Sequence, residues 1–201
     1  MDNVNRPGGN GFAAGPPGVP VAENDDSLVL DVSQVICAAI EQDHGAITLA
    51  TPEHQQAIDQ QLESCGINVP AARARRQYLS FDAAEMLHMI SLKGVPDAEQ
   101  FAVVLAAITE PMCLRHERVA IFGEIVALLR AQGRLSGAGE LERWWKALIR
   151  GRPMLLYCAY PSEALTDAQS AAAFRRTCAE HCRILEARGL SMQAEFSGPL
   201  Y

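Results

Sequence analysis

Five residues able to move a proton or hold a polar ligand stand where apolar runs stop: His54, Asp82, Glu85, Glu124 and Tyr160. The stretch Arg118–Gly133, RVAIFGEIVALLRAQG, changes period in its middle. Val119 to Phe122 suits a strand buried on both faces, whereas Ile125, Leu128, Leu129 and Gln132 follow helical spacing. Glu124 falls at that junction, where it can cap the helix, accept a ligand hydrogen bond or serve as a base. Spacing alone does not choose among the three. Thr51-Pro52 reads as a cap and first helical residue, which puts His54 in a first turn beside exposed backbone N–H groups. Asp82-Ala83-Ala84-Glu85 has the spacing of a capping box, and Tyr160-Pro161 closes the apolar run Met154–Ala159.

The elements that must position these residues alternate in type. Leu28, Val32, Val35, Ile36 and Ala39 recur on one helical face, with caps available at Asn24 to Ser27 and a stop at Gly45. Ala46–Ala50 reads as a strand, followed by a helix through Ile58 and Leu62 to Gly66, a loop rich in Ala and Arg, and a second strand, Gln77–Phe81. A short helix carries Met86, Leu87 and Ile90. Gly94-Val95-Pro96-Asp97 breaks the chain and caps a helix with Phe101, Val104, Leu105 and Ile108 on one face and Pro111 just past its end. After the Glu124 junction, Glu140–Arg150 aligns Leu141, Trp144, Trp145 and Leu148, Met154–Ala159 forms a strand, and a last helix runs from about Asp167 to Arg188.

Strands separated by helices predict an α/β fold of three layers, with a mainly parallel central sheet covered by helices on both faces. Parallel strands would bring Thr51–His54, Asp82–Glu85, Gly123-Glu124 and Tyr160-Pro161 to one edge, the place where open α/β sheets bind ligands. The expected result is a polar crevice that favours anions or hydrogen-bond acceptors next to helix N-termini.

Composition narrows the function classes. A chain of 201 residues suits one α/β domain, read as residues 21–188, with a leader at 1–20 and a tail at 189–201. The leader holds nine Gly or Pro and is expected to be disordered. Within it Gly15-Pro16-Pro17-Gly18 imitates a phosphate-binding loop, but no Gly-Lys-Ser/Thr follows to supply charge and a magnesium ligand. A net charge of −7 and a pI near 5.2 speak against nucleic acid as a partner. The tight basic cluster Arg73, Arg75 and Arg76 reads as a solvated loop. No apolar run reaches the roughly 20 residues of a membrane span. The dispersed cysteines Cys37, Cys65, Cys113, Cys158, Cys178 and Cys182 look like reduced thiols of a cytoplasmic protein. Cys178 and Cys182 flank His181 but fall on an apolar stripe with Phe174 and Leu185, so packing is preferred to metal binding. No metal and no cofactor are expected.

Four motifs in order resemble one family: Ala50-Thr51-Pro52-Glu53-His54, then Phe122-Gly123-Glu124-Ile125-Val126-Ala127-Leu128-Leu129, then Leu141-Glu142 with Trp145, then Leu156-Tyr157-Cys158-Ala159-Tyr160-Pro161. The chain resembles the MEDS domain, the methanogen/methylotroph DcmR sensory domain, over about residues 21–185. The resemblance implies a RecA/KaiC-related fold without a working phosphate-binding loop, and a stand-alone sensory or regulatory role in bacterial signal transduction. It implies no enzymatic activity. A small molecule of unknown identity, or a separate signalling protein such as a histidine kinase or transcription regulator, would bind at the crevice. One departure stands out: where members carry a His and an aromatic pair before an acidic turn, this chain has Pro20, Val21 and Ala22. Sensing through those side chains is therefore left open. Two other readings remain beside this one, an enzyme on a degenerate RecA-like sheet with Glu124 as base, and an interaction module whose crevice is vestigial.

Overall fold

The computed structural model describes residues 25–158. The leader, Val21 and Ala22, Tyr160-Pro161, the helix from Asp167 and the pair Cys178 and Cys182 lie outside the described residues. Helix α1 (Asp25–Glu41) leads into β1 (Gly45–Ala50), α2 (Pro52–Ser64), α3 (Val69–Ala74) and β2 (Tyr78–Asp82). The chain continues through α4 (Ala83–Met89), the short strands β3 (Ser91–Leu92) and β4 (Val95–Pro96), α5 (Ala98–Arg115) and β5 (Val119–Gly123). It closes with α6 (Ile125–Ala131), α7 (Leu135–Ile149) and β6 (Met154–Cys158).

The four long strands form one parallel sheet in the order β2-β1-β5-β6. All six residues of β1 are buried, as suits a central strand covered on both sides. Alternation along the strands divides the core in two. Ile47, Leu49, Val119 and Ile121 face the cluster built by α4, α5, α6 and α7. Ala46, Ala50, Tyr78 and Phe122 face α1, α2 and α3. The three-layer α/β architecture expected from the alternation of strands and helices is thus the one observed.

Side-chain caps open several of the helices. The Asp82 carboxylate accepts from the backbone N–H of Ala84 at 2.7 Å and of Glu85 at 3.1 Å, opening α4. Asp97 does the same for α5 through Glu99 and Gln100, both at 3.0 Å. Such caps satisfy donors that the first helical turn leaves free.

Four local expectations need correction. The Ala/Arg-rich loop contains α3, capped by Asn68, whose side chain accepts from Ala71 N–H at 2.9 Å, and anchored by buried Val69 and Ala72. The break at Gly94 is the tip of a hairpin, with Ser91 opposite Pro96 and Leu92 opposite Val95. Lys93 and Gly94 both take positive φ, 50° and 79°, the pattern of a type I′ turn. Helix α5 does not stop at Pro111 but carries it inside and runs on to Arg115. Pro111 is exposed, so water can hydrate the carbonyl it leaves unbonded, while burial of Met112 to 2 % exposure offsets the cost. Helix α7 begins at Leu135 rather than at Glu140, because Ala138 belongs to the same buried face as Leu141 and Trp145. The two tryptophans pack against Phe101, with ring centroids 5.7 Å away for Trp144 and 5.2 Å for Trp145, the latter edge-on. That agrees with a packing role.

Candidate functional site

The chain steps from β1 outward to β2, then returns across β1 to β5 and on to β6. Helices α2 and α3 follow β1 on one face, and α6 and α7 follow β5 on the other. Connections therefore leave β1 and β5 in opposite senses, and their carboxyl ends frame the topological switch point of the sheet, where ligands of open α/β folds lodge. His54 stands just after β1 and Glu124 just after β5.

Glu124 binds the two strand ends together. Its backbone N–H donates to Leu49 O at 2.9 Å, prolonging the ladder past the end of β5. Its carboxylate turns back across the same gap, where Oε2 accepts from the backbone N–H of Thr51 at 2.7 Å. Oε1 meets Nδ1 of His54 in a short hydrogen bond. Glu124 occupies the capping position of α6 yet makes no side-chain cap bond there. Of the three roles open to it in the sequence, capping of its own helix is excluded. Both carboxylate oxygens are engaged and the residue is 4 % exposed.

The consequence falls on His54. The Thr51 hydroxyl accepts from His54 N–H at 3.4 Å and fixes the first turn of α2. With a carboxylate on Nδ1, that ring nitrogen carries a hydrogen. Nε2 is then a lone-pair acceptor in the neutral ring or a donor in the imidazolium. The His54 side chain keeps 20 % exposure against 5 % for that of Glu124. What the pair presents to a visitor is therefore the imidazole edge rather than the carboxylate. This is the arrangement in which a carboxylate orients a histidine and sets its tautomer.

The other expected site residues have different duties. The Asp82 carboxylate is engaged in capping α4, and Glu85 is exposed on that helix. Among the described residues no hydrogen bond or ion pair joins either one to His54 or Glu124. Tyr160 lies outside the described residues. No group of three or more His, Cys, Asp or Glu side chains among the described residues is disposed to hold a metal.

Beneath α2 runs a polar row that sequence reading missed. Gln55 donates from Nε2 to Ala50 O at 2.9 Å and accepts from the Ser80 hydroxyl at 3.0 Å, tying the last carbonyl of β1 to β2. One turn further along α2, Asp59 accepts from the Tyr78 hydroxyl at 3.2 Å and from Arg73 at 2.7 and 3.0 Å. Arg73 also lies 5.3 Å over the Tyr78 ring. One member of the basic cluster is thus a structural clamp. Burial, reinforced by the Asp59 charge and partly offset by a hydrogen bond with Thr48, pushes the Tyr78 phenol up to about 12. The spacing of Gln55 and Asp59 on one helical face was the available signal.

The family model described as MEDS, MEthanogen/methylotroph, DcmR Sensory domain, matches residues 20–176, more than half of the chain. No curated protein and no solved structure matches it.

Proposed function

The chain belongs to the MEDS family of sensory domains, and from that premise we propose that it serves signal transduction by binding a small polar molecule at the β1/β5 switch point, read by the imidazole of His54. The observation that carries the reading is the buried carboxylate of Glu124, which holds the Thr51 backbone and His54 Nδ1 at once across two strand ends. Occupancy that pulls on the His54 ring acts on Glu124, and through Leu49 and Thr51 on both helix junctions. Output passes to a separate signalling protein, for which a histidine kinase or transcription regulator is the proposed class. Neither nucleic acid nor membrane is part of the proposal. The RecA/KaiC kinship implied by the resemblance also belongs to the proposal, and the lack of a phosphate-binding lysine in Thr51-Pro52-Glu53-His54 after β1 supports a scheme without ATP hydrolysis.

The same pair favours one competitor, an enzyme in which His54 acts as base and Glu124 orients it. The two readings part on turnover. A thermal-shift screen against nucleotides and small metabolites, joined to mass spectrometry of molecules that copurify, should return a compound that raises the melting temperature and leaves the protein unchanged. A compound consumed at a catalytic rate would favour the enzyme. A chain stabilised by no small molecule but retaining a signalling protein would favour an interaction module.

A further inference from the structure

Residues 43–45, 75–77, 115–119 and 150–153 lead into β1, β2, β5 and β6 at the amino edge of the sheet, opposite the switch point. Backbone bonds seat them side by side: Ala46 N–H donates to Gln77 O at 2.8 Å, Gly45 N–H to Arg118 O at 2.9 Å and Val119 N–H to Pro153 O at 2.9 Å. Nδ1 of His116 donates to Asp43 O at 3.1 Å, and Arg75 to Gln77 Oε1 at 3.2 Å. The four segments hold Arg75, Arg76, Arg115, Arg118, Arg150 and Arg152, no lysine, and two carboxylates, Asp43 and Glu117. All of these arginines except half-buried Arg118 are exposed. The strand exits at 51–54, 82–85 and 123–124 have the opposite sign, with four carboxylates and neither Lys nor Arg.

Helix ends explain part of this row. Arg75, Arg115 and Arg150 close α3, α5 and α7, where a cation offsets the carbonyl end of a helix. Arg76, Arg118 and Arg152 stand beyond those ends, beside the strands, and no helix dipole calls for them. The ion pairs within reach are loose, with Arg118 Nε 3.9 Å from Glu117 and Arg152 3.9 Å from Glu110. Among the described residues Arg76, Arg115 and Arg150 pair with no carboxylate.

We propose that this arginine row is the docking surface for an Asp/Glu-rich segment of the output protein. The assignment rests on the reading of the chain as a sensory domain whose signal passes to a separate protein. Guanidinium forks match carboxylates in bidentate pairs, which a row of lysines would not do. Three strand spacings make the row about 14 Å wide, room for a short acidic segment laid across the four strand entries. The chain's charge of −7 opposes a long polyanion such as nucleic acid, and the acidic exits turn an acidic segment away from the switch point. Partner and small molecule thus take opposite ends of β1 and β5.

The test is a titration of the full chain, with no small molecule added, into a fluorescein-labelled peptide of alternating Asp and Glu, read by anisotropy at low and high salt. An Asn/Gln peptide of equal length serves as control and labelled oligodeoxythymidylate as the rival anion. Saturable binding of the acidic peptide that weakens with salt is expected, with none of the Asn/Gln peptide and weaker binding of the oligonucleotide. The triple variant Arg76→Gln, Arg115→Gln, Arg150→Gln should lose at least roughly tenfold in affinity. Arg143→Gln, which removes an exposed α7 charge outside the row, should bind as wild type. Should the triple variant lose its wild-type circular dichroism spectrum, Arg115→Gln alone is read, with a loss of about threefold expected. The assignment is overturned if the wild-type chain does not bind the acidic peptide at low salt, if the Asn/Gln peptide or the oligonucleotide binds as tightly, or if Arg143→Gln weakens binding as much as the folded row variant does. Because no small molecule enters the titration, such a failure leaves the switch-point reading standing, and a chain that responds to no small molecule still answers it.

Discussion

At the scale of single residues, the account turns on Glu124 having two engaged oxygens and His54 having one ring nitrogen without a partner among the described residues. Glu124→Ala leaves a Thr51 N–H and an imidazole N–H without their acceptor, and should cost about 2–3 kcal/mol in urea unfolding, the range for hydrogen bonds to charged groups. Glu124→Gln should be milder. Its carbonyl can keep the Thr51 N–H, but its amide then faces Nδ1 and donates, which drives the hydrogen of a neutral His54 ring from Nδ1 to Nε2. The ring nitrogen shifts of His54 report that exchange directly: a wild-type Nδ1–H tautomer and a Glu124→Gln Nε2–H tautomer are expected, and identical tautomers in the two would remove Glu124 from control of the ring. Half of this site was legible in the sequence. The period change at Gly123-Glu124 and the Thr51-Pro52 cap located the two junctions. What no local pattern carries is a bond between residues 70 positions apart, nor the Thr51 backbone donor, nor Gln55 beneath them.

At the scale of elements, the hairpin and α7 carry opposite predictions for the same kind of substitution. Gly94 holds φ +79° at the hairpin tip, and a Cβ there meets no atom within 4 Å, so the cost of Gly94→Ala is backbone strain, about 1 kcal/mol. Gly139 sits within α7 with equally open space and no positive φ; Gly139→Ala should stabilise by about 0.5–1 kcal/mol through helix propensity. Shifts of the urea midpoint in opposite directions would support both placements, and equal shifts would contradict one of them. These elements also show where sequence reading stops. The four parallel strands and their helices announced themselves by period, because each buries a face long enough to repeat. The β3–β4 hairpin has two residues a side, too few for a period, and α3 is a single capped turn and a half. Pro111 and the glycines of α7 are local breakers overruled by the buried faces of Met112, Ala138 and Leu141.

At the scale of the whole molecule, the polar row of Thr48, Tyr78, Asp59 and Arg73 couples two strands to two helices and gives the fold an alkaline limit. The native phenol titrates near 12 against an ordinary value of about 10. Between these values the unfolded chain has released a proton that the native chain still holds, so stability falls as pH rises through that window. The contribution is complete below about pH 10 and has declined by roughly 2–3 kcal/mol by about pH 12. Tyr78→Phe should be less stable at neutral pH yet show a shallower decline above pH 10; parallel pH profiles of the two proteins would contradict the burial of that phenol. Mg-ATP should neither raise the melting temperature nor be hydrolysed above background, and saturable micromolar binding of ATP would overturn the absence of a phosphate-binding loop from the scheme.

The switch point is where sheet order, strand ends and the His54–Glu124 pair coincide, and one titration tests whether sensing happens there. The compound that most raises the melting temperature of the wild-type chain should be titrated calorimetrically into wild type, Glu124→Gln and His54→Ala, each first confirmed folded by circular dichroism. The account predicts that both variants stay folded and lose at least roughly tenfold in affinity, about 1.4 kcal/mol. Wild-type affinity in both folded variants would mean that the ligand is read elsewhere and that Glu124 and His54 only hold the strand ends together.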